Sequence, residues 1–155
     1  MGTAATVNRQ MLDAFNRAYA ERDLAALSHM IDDNVTWSIS GPVELLEFCG
    51  ARHGKTAVLD MVGRLVPGLF VITGFTQDSV LIDGDRAATL SRLSGRRNDG
   101  RAISYRVAQF IRFGNGKITD YCSVIDSFDA AEQVLGHRIE LDGVRRADAG
   151  DLIAI

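Results

Sequence analysis

Hydrophobic positions follow a helical spacing near the start of the chain and alternate over most of its second half. Val7, Met11, Leu12, Phe15, Ala18 and Tyr19 recur at i, i+4 and i+8, which predicts a helix over residues 7–22. Asp23 can cap a second, short helix carrying Leu24, Leu27 and Met30. Asp32-Asp33-Asn34 punctuates the chain, and Val35-Thr36-Trp37-Ser38-Ile39 then alternates as a strand does, up to Gly41-Pro42. Residues 43–49 fit either a short helix or a strand. A third helix is expected over residues 56–66, with Val58, Leu59, Val62 and Leu65 on one side and Pro67-Gly68 as its stop. Beyond it the pattern is strand, over residues 70–78, 79–82, 86–94, 102–113 and 117–128. Asp83-Gly84 and Asn115-Gly116 read as hairpin turns, and residues 97–100 as a longer one. A last short helix over residues 129–135 ends at Gly136. Helices first and a long antiparallel meander after them define the α+β class.

Length and composition narrow the reading. The 155 residues contain no repeat or low-complexity linker, so one domain is expected over residues 1–136. A chain of this size buries enough surface to hold a core without disulfides or metal. The net charge of −3 and the scattered arginines leave no electrostatic footprint for nucleic acid. Cys49 and Cys122 belong to no CxxC or Cys/His cluster, so reduced thiols and no metal site are expected. No Gly-rich phosphate loop is present, and no cofactor is expected. Residues 1–8 lack the basic and apolar regions of a leader, and no stretch reaches the length of a membrane span. A cytoplasmic protein with no membrane partner is the expectation. The tail over residues 137–155 ends in Leu152-Ile153-Ala154-Ile155 and is expected to dock on its own domain or on a partner subunit.

Four phrases carry a resemblance: Ala18-Tyr19-Ala20-Glu21-Arg22-Asp23-Leu24, Asp32-Asp33-Asn34-Val35-Thr36-Trp37, Gly54-Lys55-Thr56-Ala57-Val58, and Phe113-Gly114-Asn115-Gly116-Lys117-Ile118 running on to Asp126. In this order they resemble the SnoaL-like branch of the nuclear-transport-factor-like superfamily, which also holds ketosteroid isomerases and limonene-epoxide hydrolases. The resemblance implies a cone-shaped roll, a curved mixed or antiparallel sheet wrapped around three N-terminal helices. It also implies a deep apolar pocket for a small hydrophobic molecule, and pairing of sheets into a homodimer. Where the ketosteroid isomerases carry a tyrosine, a basic aspartate and a second acid, this chain has Phe15, Ser38 and Arg106. None of the three can do those jobs, so steroid-type isomerisation is not expected.

Asp126 lies where epoxide hydrolases and SnoaL-type cyclases, by the same resemblance, carry a proton-handling aspartate. The epoxide hydrolases also need an Arg and a second Asp on a neighbouring strand, and residues 87–94 offer Arg92 and no acid. Strand parity puts Ala102, Ser104, Arg106, Ala108 and Phe110 on one face, assigned to the concave side because small residues beside one long cation leave room for a ligand. Ile118, Asp120, Cys122, Val124, Asp126 and Phe128 share a face of the last strand, so Arg106 could reach Asp126 and hold it ionised.

The expected catalytic pair is therefore Asp126 as base and Arg106, with Arg106 or Arg92 stabilising an oxyanion. The bland alternative is a structural ion pair. Trp37 is expected as core or pocket wall, stacked on a ligand or packed at a dimer contact, and Tyr19 on the inward helical stripe can donate into a pocket. Ser38, His53 and Phe110 complete the candidate substrate contacts. Tyr105 and Tyr121 are assigned to the outer side, and Cys122 to the core. The leading expectation is a small-molecule-binding protein doing cofactor-independent isomerase, cyclase or hydrolase chemistry by proton transfer. The alternative is a non-catalytic ligand-binding or scaffold domain acting as a homodimer, marked by a closed pocket with Asp126 pointing out.

Overall fold

The computed structural model describes residue 7 and residues 9–143. Helix α1 (Arg9–Glu21) buries Leu12, Phe15, Ala18 and Tyr19 along one stripe, as the spacing predicts. The Asp23 carboxylate accepts the Ala26 N–H at 2.9 Å and so caps α2 (Leu24–Met30). Strand β1 (Ile31–Ser40) follows without a loop, and the predicted break at residues 32–34 is a register irregularity inside it. The ambiguous stretch 43–49 forms neither helix nor strand. Its carbonyls at Glu47, Phe48 and Cys49 are instead satisfied by the Arg52 guanidinium, at 2.6, 2.9 and 3.1 Å.

Arg52 lies on β2 (Gly50–His53), a four-residue strand too short and polar for the sequence pattern to reveal. Helix α3 (Lys55–Asp60) runs through a π-helical turn (Met61–Leu65) into α4 (Val66–Leu69). Pro67 thus does not stop the helix. It is the second residue of α4, and the helix ends two residues later at Leu69.

Four long strands complete the sheet: β3 (Phe70–Asp83), β4 (Arg86–Arg97), β5 (Ala102–Gly114) and β6 (Lys117–Ile125). The order is β2-β1-β6-β5-β4-β3, with β1 and β6 parallel and every other pair antiparallel. The two strands expected over residues 70–82 are one, broken by register shifts at residues 72–74 and 77–79 that let it bend with the curved sheet. Helix α5 (Ser127–Leu135) ends at Gly136, whose φ of 80° is left-handed. The result is the expected α+β cone: a curved mixed sheet around the N-terminal helices. Among the described residues, no helix is long and apolar enough to cross a membrane. The end of the expected tail, residues 144–155, lies outside the described residues.

Which face of each strand turns inward corrects two expectations. On β5, Ile103, Tyr105, Val107, Gln109, Ile111 and Phe113 are buried, while Ala102, Arg106, Ala108 and Phe110 lie on the outer face. The helix side of the sheet needs volume to fill the cone, so the large residues go there and the small ones do not mark a cavity. On β6 the parity itself breaks. Arg112 pairs with Asp120 and Phe113 with Ile118, so Thr119 is an extra residue opposite nothing. Past it Tyr121, Ser123 and Ile125 face inward, and Asp120, Cys122 and Val124 face out.

These inversions bring the aromatic residues together. Trp37, fully buried, stacks on Tyr121 at 3.7 Å between ring centroids, lies parallel to Tyr19 at 6.4 Å and meets the Phe15 ring edge-on at 6.2 Å. Replacing Trp37 by alanine is expected to lower unfolding free energy by about 3–5 kcal/mol. Urea denaturation checks this, and a loss below about 1 kcal/mol would show that the stack is not the core.

Candidate ligand site in the cone

The cone narrows to a cavity lined by Tyr19 from α1, Ile39 from β1, Phe48, Val66, and the inner faces of β3 to β6. Phe70, Ile72, Phe75, Leu93, Val107 and Ile125 supply its apolar wall, and Tyr105, Tyr121 and Ser123 its polar groups. The side chains fill most of it. About 20 Å³ of room remains, roughly one water molecule's worth.

A row of polar side chains crosses the inner sheet face behind this cavity. Thr89, Gln109 and Ser123 are register partners on β4, β5 and β6, and all are buried. The Thr89 hydroxyl donates to Gln109 Oε1 at 2.9 Å, and Gln109 Nε2 donates to the Tyr121 phenol oxygen at 3.0 Å. This chain satisfies groups that would otherwise cost several kcal/mol to bury. The cavity's ionisable groups are all phenols. Burial pushes Tyr121 up to about 12, although its contacts with Gln109 and Ser123 pull it part of the way back. Burial also raises Tyr105 and Tyr19 well above the usual range, and the neighbouring phenols add to the effect on Tyr19. Every phenol is therefore a neutral donor near neutral pH.

The expected site residues do not gather here. Asp126 is exposed at the start of α5, where its backbone N–H donates to the Arg106 carbonyl at 3.1 Å and its carboxylate makes no cap. Arg106 points outward and pairs with Asp78 at 3.6 Å, not with Asp126. Arg92 is on the same outer face. The inward projection of Asp126 and its ion pair with Arg106 are thus corrected, because the Thr119 bulge turns that edge of the sheet around. Phe110 is 55% exposed on the outer face, Ser38 is half-buried there, and His53 is exposed at the end of β2. Tyr19 lines the cavity as expected. Trp37 is core, and its indole N–H is buried without a partner among the described residues.

Tyr105 and Tyr121, expected outside, are the cavity's central donors. Gln109 and Thr89 were not singled out by the sequence reading. Their signal is polar residues at inward positions, Thr89 and Ser91 on β4 and Gln109 on β5, readable only once the parity is right. Cys122, expected in the core, is exposed, whereas Cys49 is buried and its thiol is pushed up to about 11 by desolvation.

A second, larger hollow of about 700 Å³ opens on the outer sheet face between β1, β6, β5, β4 and the end of β3. Thr36, Ser38, Cys122 and Ala88 form its floor, and Leu81, Ile82 and Phe110 its exposed apolar wall.

The SnoaL-like domain family matches residues 10–121, and the chain belongs to that family. Its structure is similar to that of a provisionally named isomerase from Rhodopseudomonas palustris. That likeness has 37% identity and a TM-score of 0.76, over 84% of this chain and 100% of that one. Two further likenesses show the fold. A protein with a ketosteroid isomerase-like fold from Catenulispora acidiphila, in complex with trimethylamine, aligns at 13% identity and a TM-score of 0.68, over 84% and 95% of the two chains. An epoxide hydrolase from M. tuberculosis aligns at 15% and 0.66, over 82% and 88%. A search of curated protein sequences gave no match.

The three tyrosines of the chain all line the cone, which permits a clean titration. Their ionisation is opposed in the folded state, so the stability they contribute is present below the ordinary phenol value of 10 and is lost as pH rises toward about 12. Phenolate absorbance is expected to stay absent from the native protein at pH 10 and to appear with unfolding. A native protein that titrates a phenol at its ordinary value would refute the placement.

Proposed function

We propose that this chain is a homodimeric binding domain whose cone accepts a small hydrophobic molecule bearing a hydrogen-bond acceptor. The observation that carries this reading is the lining. Among the described residues it contains phenols and a serine but no carboxylate, imidazole or amine, so it can orient a carbonyl or hydroxyl without abstracting a proton. The isomerase and epoxide hydrolase likenesses favour a ligand site in the cone, and proton transfer remains the competing proposal. For that chemistry Asp126 would have to act as base from the outer end of the sheet. Phe75, half-buried beside the β3 irregularities and 6.0 Å edge-on from Tyr19, is the side chain best placed to yield to an entering ligand. The hollow on the outer sheet face, with Leu81 70% exposed, supports pairing with a second copy.

A thermal-shift screen of polyketide-like, steroid-like and terpenoid compounds tests the reading. Compounds that raise the midpoint of the wild type are expected to do so equally for Asp126→Asn and to bind more tightly to Phe75→Ala. Tyr19→Phe is expected to weaken them about threefold to tenfold through loss of one donor. Binding or turnover that collapses in Asp126→Asn would instead establish the proton-transfer alternative. Sedimentation is expected to give a dimer for the wild type and a monomer for Phe110→Glu, and a monomeric wild type would sink the pairing.

A further inference from the structure

Strands β4 and β5 carry two pairs of arginines set directly opposite one another on the outer face: Arg86 with Arg112, and Arg92 with Arg106. Like charges in such positions lie about 5 Å apart at Cβ and repel. At the first pair the fold supplies the remedy. Asp85 sits between them, its carboxylate 3.8 Å from Arg86 and 3.2 Å from Arg112. The second pair has no equivalent. Arg106 has Asp78 at 3.6 Å, a long contact, and its Nε is buried with no hydrogen-bond partner. Arg92 has no carboxylate within 4 Å among the described residues, and its guanidinium reaches only the Ser104 hydroxyl, at 3.5 Å. Both side chains are partly shielded from water, Arg106 to 30% exposure. Shielding strengthens their repulsion and also their attraction for an anion.

We propose that Arg92 and Arg106 form a binding site for an oxyanion, the carboxylate or phosphate group of a small molecule, on the outer face of the sheet. Register pairing sets the two arginines side by side, and each guanidinium carries a fork of N–H donors that suits such groups. Ser104 adds a hydroxyl, and its neighbours along the outer face, Ser94 and Ala108, are small. The site lies four residues along β4 from Ala88, about 14 Å at strand spacing, and none of its residues lines the outer hollow. Asp126, beside Arg106 in the same row, and Asp78 oppose the anion. They restrict the site to one, and they make its affinity sensitive to their charge.

The test titrates inorganic phosphate, and separately acetate, into the full chain at constant ionic strength balanced with chloride, read by calorimetry and by the thermal midpoint. Saturable binding of one anion per chain with a raised midpoint is expected. Arg92→Gln and Arg106→Gln should each weaken it about tenfold or more, Arg92→Lys should weaken it less, and Arg86→Gln should leave it unchanged. Asp126→Asn should tighten it. No saturable binding by either anion, or equal binding in Arg92→Gln, would overturn the proposal. So would a wild type that ignores both anions while Arg92→Gln splits a dimer in sedimentation, because the counter-charge would then come from a second copy. Thermal unfolding of each variant without anion identifies any that fails to fold, and Arg92→Lys keeps the question open to an answer if Arg92→Gln is one of those.

Discussion

The contact on which the rest depends is the stack of Trp37 on Tyr121. It joins β1 to β6, which are distant in sequence, and both rings face the helices at the cone's centre. Phe15 and Tyr19 of α1 pack against the pair, so helix, first strand and last strand share one hydrophobic cluster. The ring planes leave little free volume, and that fixes what the cone can do. A cavity so closely packed holds little water with which to carry protons.

Neutral phenols give this interior its chemical character. Ionising one would place a negative charge where little solvent can reach it, and among the described residues only Arg52, acting on Tyr19, offers a compensating cation. The acids and guanidiniums sit across the sheet, on its outer face. One thickness of sheet therefore separates two environments. The inner one is apolar with a few phenol donors, and the outer one carries fixed charge.

Element existence was readable because it follows local rules. The stripe on α1, the Asp23 cap, the Asn115-Gly116 turn and the alternation along β4 each survive folding. The family phrases extended this to the whole architecture. The site was harder to read for one physical reason. A side chain's face on a strand depends on an unbroken count of two, and Thr119 adds one residue that no propensity scale marks. The count from Gly116 to Asp126 crosses that bulge and fails. On β5 the alternation holds with inside and outside exchanged, because on this sheet the small residues mark surface and not cavity. Tyr105 and Tyr121 were lost to the same two errors. Tyr19, placed by helical spacing alone, was not.

The parallel pairing of β1 with β6 also governs how the chain reaches this state. Residues 36–40 find their partners only at residues 120–124, after every intervening strand has been made. Emerging from the ribosome, the first third of the chain can close its short hairpin with β2, but its other edge waits for the final strand. Closing so long a loop late makes the chain slow to finish, and it leaves an unpaired, apolar-backed edge exposed until β6 has been made.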